Sequence, residues 1–205
     1  MIKRTANLEI SFSDEQAMIL DSAKDFCRDK SDITTVRSLL KSETGYKNDV
    51  WAEMIALGWT GLALPEQYGG SGMGVGATIP LVESMGRHLL CTPFITSTIA
   101  SQAILRGGTE DQKSRWLPSI VEGAIAAMAM LDNEDWGATE IRCTLTPKDG
   151  GFVLEGKKLQ VNDAAKADLF LVLASSNGAP TLVLVEATAL PQGAISNNTL
   201  VDETK

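Results

Sequence analysis

The chain changes hydrophobic period once, near residue 123, and that change constrains its fold more than any other feature. Before it, apolar residues recur at the three-to-four spacing of one helix face. Ser13 stands three residues ahead of Gln16, the pattern of a capping box, and Ile19, Ala23, Phe26 and Cys27 then share a face. Trp51, Met54, Ile55 and Leu57 repeat the spacing and stop at Gly58, which suits a left-handed helix end. Thr92-Pro93 reads as a cap and first-turn pair, opening a segment that turns Ile95, Ile99 and Leu105 inward until Gly107-Gly108 ends it. Thr109 and Gln112 form a second capping box, and Pro118 limits how far that helix can run. The spacing predicts four or five helices of moderate length, and so a bundle.

After residue 123 the period is two and the punctuation is that of hairpins. Thr144–Pro147 and Phe152–Leu154 flank Asp149-Gly150, while Leu169–Ala174 and Thr181–Val185 flank Asn177-Gly178. Both dipeptides tolerate the positive φ of tight two-residue turns. Val172, Leu173, Val183, Leu184 and Val185 are β-prone and apolar enough for buried strands. The expected fold is therefore α+β and multidomain: an all-α helical bundle over 1–122, then a partial antiparallel barrel or sheet over 123–205.

Composition narrows the function. A net charge of -8 argues against a nucleic-acid partner, because phosphate binding needs a basic face and no run of Lys or Arg occurs. The three cysteines have no Cys-x-x-Cys spacing and the only histidine is His88, so neither a metal site nor a Cys/His nucleophile pair is expected. No apolar run approaches the roughly 20 residues that span a bilayer, and residues 1–14 lack the apolar stretch of a signal peptide. The expectation is a cytoplasmic protein with no membrane span. Residues 72–77, Gly-Met-Gly-Val-Gly-Ala, formally fit a dinucleotide fingerprint, but no strand precedes them and no βαβ unit comes after; they read as a turn between helices.

Two longer words are more specific. The first runs Leu57-Gly58-Trp59-Thr60-Gly61-Leu62-Ala63-Leu64-Pro65-Glu66-Gln67-Tyr68-Gly69-Gly70, an apolar run ending in Pro-Glu-x-Tyr-Gly-Gly. The second is Gly107-Gly108-Thr109-Glu110-Asp111-Gln112-Lys113, followed by Leu117-Pro118 and Glu122-Gly123. Together they resemble the amino-terminal helical domain of the acyl-CoA dehydrogenases. The resemblance covers essentially all of these residues but about half of that family's length, since a second helical bundle follows the β-domain there. The end at Leu200–Lys205, near the family's Leu-Asp-x-Thr-Arg segment, leads us to expect a fragment, a cleaved product or one piece of a larger assembly.

The resemblance implies FAD, an acyl-CoA substrate, an electron-transfer flavoprotein as electron acceptor, and homo- or hetero-oligomers. Two strands line the flavin in that family. The first carries Thr-Glu-Pro and then Gly-Ser-Asp; here Met130, Leu131 and Asp132 occupy the strand, with Leu131-Asp132-Asn133 where Thr-Glu-Pro would stand. The second carries Trp-Ile-Thr or Trp-Ile-Ser; here it reads Gln160, Val161, Asn162, inside a fitting frame of Gly156-Lys157-Lys158 before and Ala167-Asp168 after. Gln160 lacks an indole face, and Asn162 offers an amide where a hydroxyl is usual. The segment 89–106 is where the resemblance places the acyl pocket, with Phe94, Ile95 and Thr98 as substrate contacts and Gly137 beside the flavin strand.

No catalytic residue is nominated, because the resemblance places the carboxylate base in the absent carboxyl-terminal bundle; Glu134 and Asp135 read as a solvated acidic loop. The implied activity is α,β-desaturation of an acyl-CoA thioester with hydride transfer to flavin. Two alternatives stand beside it: a non-catalytic partner subunit of a heteromeric acyl-CoA dehydrogenase, or a flavin monooxygenase of the same fold.

Overall fold

The computed structural model describes residues 13–40, 42, 44–135 and 140–197. Among these, six α-helices precede a five-stranded sheet. The helices are α1 (Asp14–Lys30), α2 (Ile33–Leu39), α3 (Asn48–Ala56), α4 (Ile79–His88), α5 (Phe94–Gly107) and α6 (Glu110–Val121). The strands are β1 (Ala126–Ala129), β2 (Thr144–Lys148), β3 (Gly151–Glu155), β4 (Leu169–Ser176) and β5 (Ala179–Glu186). No helix among the described residues is long and apolar enough to cross a membrane.

Local chemistry sets the helix ends. Both expected capping boxes form: the Ser13 and Thr109 side chains accept from the amides of Gln16 and Gln112, whose side chains return the bond to the cap amides. Gly58 follows α3 in the left-handed region, with φ 73°. Ala23 and Cys27 of α1 are fully buried, and burial pushes the Cys27 thiol up to about 12. The glycine-rich stretch connects helices, as expected, ending in a 3-10 turn over Val75–Thr78, and no strand precedes it among the described residues. Gly70 is needed there for room, because a Cβ would fall 2.1 Å from the Leu64 carbonyl oxygen.

Helix α5 departs from expectation. Ile95 and Ile99 point outward, 43% and 53% exposed, and Leu105 is half-buried. The inward face is Phe94, Ser97, Ala100, Ser101 and Ile104. The reason lies across the interface: α5 packs against β1, whose residues are small, and a close approach favours small side chains over branched ones. Thr92 is no cap either. Pro93 takes the N-cap place, and the Thr92 hydroxyl is buried with no hydrogen-bond partner.

The two hairpins form where Asp149-Gly150 and Asn177-Gly178 predict them, all four residues having φ between 49° and 80°. The sheet, however, is mixed rather than purely antiparallel. β1 pairs parallel to β4, from Ala126 opposite Leu169 to Ala129 opposite Val172, and β2 meets β4 parallel at Thr144 and Ser175. β5 runs antiparallel along all of β4, so β1 and β2 share its other edge. Burial on both faces explains the unbroken apolar run of β4. Ala127, Ala129, Phe170, Val172 and Ala174 join a core with Cys27, Trp51, Met54, Leu81 and Phe94. Ala126, Leu169 and Leu171 join another with Leu64, Tyr68, Ala100, Ile104 and Leu117.

Candidate flavin site

The two short segments expected to line a flavin meet in space. Past the end of β1 the chain continues as Met130-Leu131-Asp132, and an isolated antiparallel bridge joins Leu131 to Leu159, with the Leu159 amide donating to the Leu131 carbonyl at 2.8 Å. The bridge brings Met130, Leu131 and Asp132 beside Lys158 and Leu159, the residues that lead into Gln160, Val161 and Asn162, although 28 residues separate Met130 from Lys158 in sequence. Lys158 ties the pair together. Its ammonium donates to the Met130 carbonyl at 3.2 Å and to Asp132 Oδ2 at 2.7 Å. The Lys158 and Asp132 side chains are 8% and 2% exposed, so this is a buried ion pair; its desolvation is offset only by close geometry and further hydrogen bonds.

Asp132 Oδ1 has no hydrogen-bond partner and is shut off from solvent. An orphaned carboxylate oxygen is a costly state for a buried acceptor. It stands at the wall of a cleft of about 320 Å³ lined by Met130, Leu131, Asp132, Ile141, Leu173 and Pro180, among others. Asn133, Asp135 and Glu140 complete the lining, so the cleft pairs an apolar side with a polar, acidic one, a mixture that suits a flat aromatic ring carrying an N–H donor.

The second segment has an unusual backbone. Gln160 and Asp163 both adopt left-handed φ, 52° and 58°. Asp tolerates this region better than Gln does, so Gln160 is the residue held against its preference. Val161 is half-buried against the core, while Asn162 is exposed and Gln160 half-buried. Beyond the bend, the Asp163 carboxylate accepts from the Thr96 hydroxyl of α5 at 2.5 Å. Nothing in the one-letter pattern marks Lys158 as a partner of Asp132, or Thr96 of Asp163; the Gly-x-Lys frame was the only cue to the first.

The other nominated residues scatter. Phe94 is fully buried in the core, Ile95 faces outward, and Thr98, one turn further along α5, is half-buried. Gly137 lies outside the described residues. Glu134 and Asp135 are both exposed. No cluster of three or more His, Cys, Asp or Glu that could hold a metal ion occurs among the described residues.

The model of the acyl-CoA dehydrogenase amino-terminal domain matches residues 13–124, more than half of the chain. The chain belongs to the acyl-CoA dehydrogenase family. It is 33% identical over 144 residues to the acyl-CoA dehydrogenase FadE12 of Mycobacterium tuberculosis, covering 66% of this chain and 36% of that protein. Among solved structures it is similar to the Tcur3481-Tcur3483 steroid ACAD, with a TM-score of 0.77 and 32% identity over 84% of this chain and 48% of that one. It is similar also to the acyl-CoA dehydrogenase complexed with FAD from Bacillus anthracis, with a TM-score of 0.72 and 28% identity over 86% of this chain and 31% of that one. The chain thus spans less than half the length of each of these relatives.

Proposed function

We propose that this chain forms the helical domain and part of the β-domain of an FAD-dependent acyl-CoA dehydrogenase that desaturates an acyl-CoA thioester between its α and β carbons. The division falls at residues 1–122 and 123–205. The observation that carries this reading is the Leu131–Leu159 bridge, which joins the strand of Met130–Asp132 to the start of the second segment beside a cleft that the first segment lines. The FAD complex of a family member supports the choice of cofactor.

FAD, when bound, supplies a hydride acceptor for the substrate's β-hydrogen. This chain's own residues would do the remaining work on their side of the ring. Asp132 Oδ1 would offer an acceptor to an N–H of the ring, while Lys158 holds that carboxylate in place and keeps it paired. Met130 and Leu131 would provide apolar packing that excludes water, with Val161 packed against the core behind the second segment. Gln160 would lie alongside the ring, and the Asn162 amide would be the donor available to its reactive edge. Acyl contacts would fall to Ile95 and Thr98 ahead of Phe94, which is enclosed in the core. Electrons would pass on to an electron-transfer flavoprotein, the site of action being cytoplasmic and the assembly oligomeric.

One observation favours a second reading. Leu131, Gln160 and Asn162 stand where similar proteins carry Thr, Trp and Thr or Ser, so two hydroxyls and an indole are lost from the ring's surroundings. A partner subunit of a heteromeric dehydrogenase would tolerate that loss, and the similar steroid ACAD is named for two components, Tcur3481 and Tcur3483. Anaerobic titration of the FAD-loaded protein with a panel of acyl-CoA thioesters separates the two. Bleaching of the visible flavin band by at least one thioester supports the dehydrogenase. Bound flavin that no thioester bleaches, even with the carboxyl-terminal bundle of a family member supplied, supports the partner role.

A further inference from the structure

Resting on the flavin reading above, we propose that α5 sets the geometry of the site through two adjacent residues, Ser97 and Thr96, and that Thr96 is a positioning residue for Asn162. Ser97 Oγ accepts from the Ala126 amide at 3.3 Å, which fixes the start of the strand that delivers Met130, Leu131 and Asp132. One residue earlier, the Thr96 hydroxyl donates to Asp163 Oδ2 at 2.5 Å, which fixes the end of the segment that delivers Gln160, Val161 and Asn162. Both hydroxyls sit on a helix anchored by the fully buried Phe94, Ala100 and Ile104. The two halves of the site therefore share one rigid support.

The segment from 159 to 163 needs such support. Its near end is fixed by the Leu159 amide on the Leu131 carbonyl. Between that bridge and Thr96 lie two left-handed residues, Gln160 and Asp163, and states of this kind persist only where surrounding contacts hold them. Val161 packs inward, but Asn162 is exposed and has no packing of its own to fix its direction. Clamped at both ends, the backbone around Asn162 has one conformation to present, which lowers the ordering cost of receiving a ring.

Hydrogen exchange of the whole chain, with and without FAD, tests this. Thr96→Val should speed exchange of the amides of residues 159–163 by about tenfold, the worth of one lost hydrogen bond, with α6 unchanged. Thr96→Ser, which keeps the hydroxyl, should restore protection. FAD should protect the same amides in the unsubstituted chain, and Thr96→Val should weaken FAD binding about tenfold and alter the fine structure of the bound flavin's visible band. Should Thr96→Val unfold the chain, Asp163→Ala removes the same bond from the other partner. Unchanged exchange at 159–163 overturns the clamp while leaving the flavin reading intact. Faster exchange in the variant, with no FAD protection of the unsubstituted chain, overturns the flavin reading and with it the positioning role of Thr96.

Discussion

β1 and the β2–β3 hairpin lie along the same edge of β4, yet different forces hold them. β1 is four residues long, three of them alanines, and Ala126, Ala127 and Ala129 are buried because helices cover both faces of the sheet there. The hairpin is held chiefly by its own ladder, from Thr144 opposite Glu155 to Lys148 opposite Gly151, and leaves Phe152 68% exposed. Small side chains and weak β-propensity are thus compatible with the most buried strand. The cover decides: close helices demand small residues, and an uncovered strand depends on turn chemistry and cross-strand pairs.

That difference is open to attack by substitution. The largest effect is expected where β1 ends, at the buried Lys158–Asp132 pair. Lys158→Met strands a buried carboxylate and should cost about 3 to 5 kcal/mol in urea unfolding, whereas Lys158→Met together with Asp132→Leu should recover most of it. Next comes overpacking of the covered strand: Ala126→Leu at a fully buried position should cost about 1 to 3 kcal/mol, again by urea midpoint. Removing a local signal costs less. Thr109→Ala deletes the α6 cap, whose hydroxyl accepts from the Gln112 amide, and should lower stability by about 1 kcal/mol. Smallest of all, Phe152→Ser on the uncovered hairpin should stay within about 0.5 kcal/mol. An Ala126→Leu cost no larger than that of Phe152→Ser would erase the distinction between the two strands.

The same distinction explains what the sequence could and could not reveal. Ser13 with Gln16, Thr109 with Gln112, and both hairpin dipeptides were legible because their determinants lie within four residues of one another. The parallel pairing of β1 was not, because Ala-Ala-Met-Ala carries no two-residue alternation and its partner lies 43 residues on, at Ala126 opposite Leu169. The outward turn of Ile95 and Ile99 was hidden for a related reason: periodicity names an apolar stripe but not the neighbour, and here the neighbour selects Ser97, Ala100 and Ser101. At the site, the two flavin-strand segments could be placed by resemblance to a family. Their junction depends on Leu131 with Leu159, on Asp132 with Lys158 and on Thr96 with Asp163, and these pairings are products of the fold.

The proposed flavin site depends on Met130–Asp132 at the end of β1 and on the segment that the Leu131–Leu159 bridge joins to it. Its most direct test is the visible spectrum of the purified chain after incubation with excess FAD and removal of free cofactor, recorded with the intact mass. The expected result is a flavin band close to one equivalent per chain, lost when Asp132 and Lys158 are both replaced. A chain of full mass that retains no flavin would contradict it.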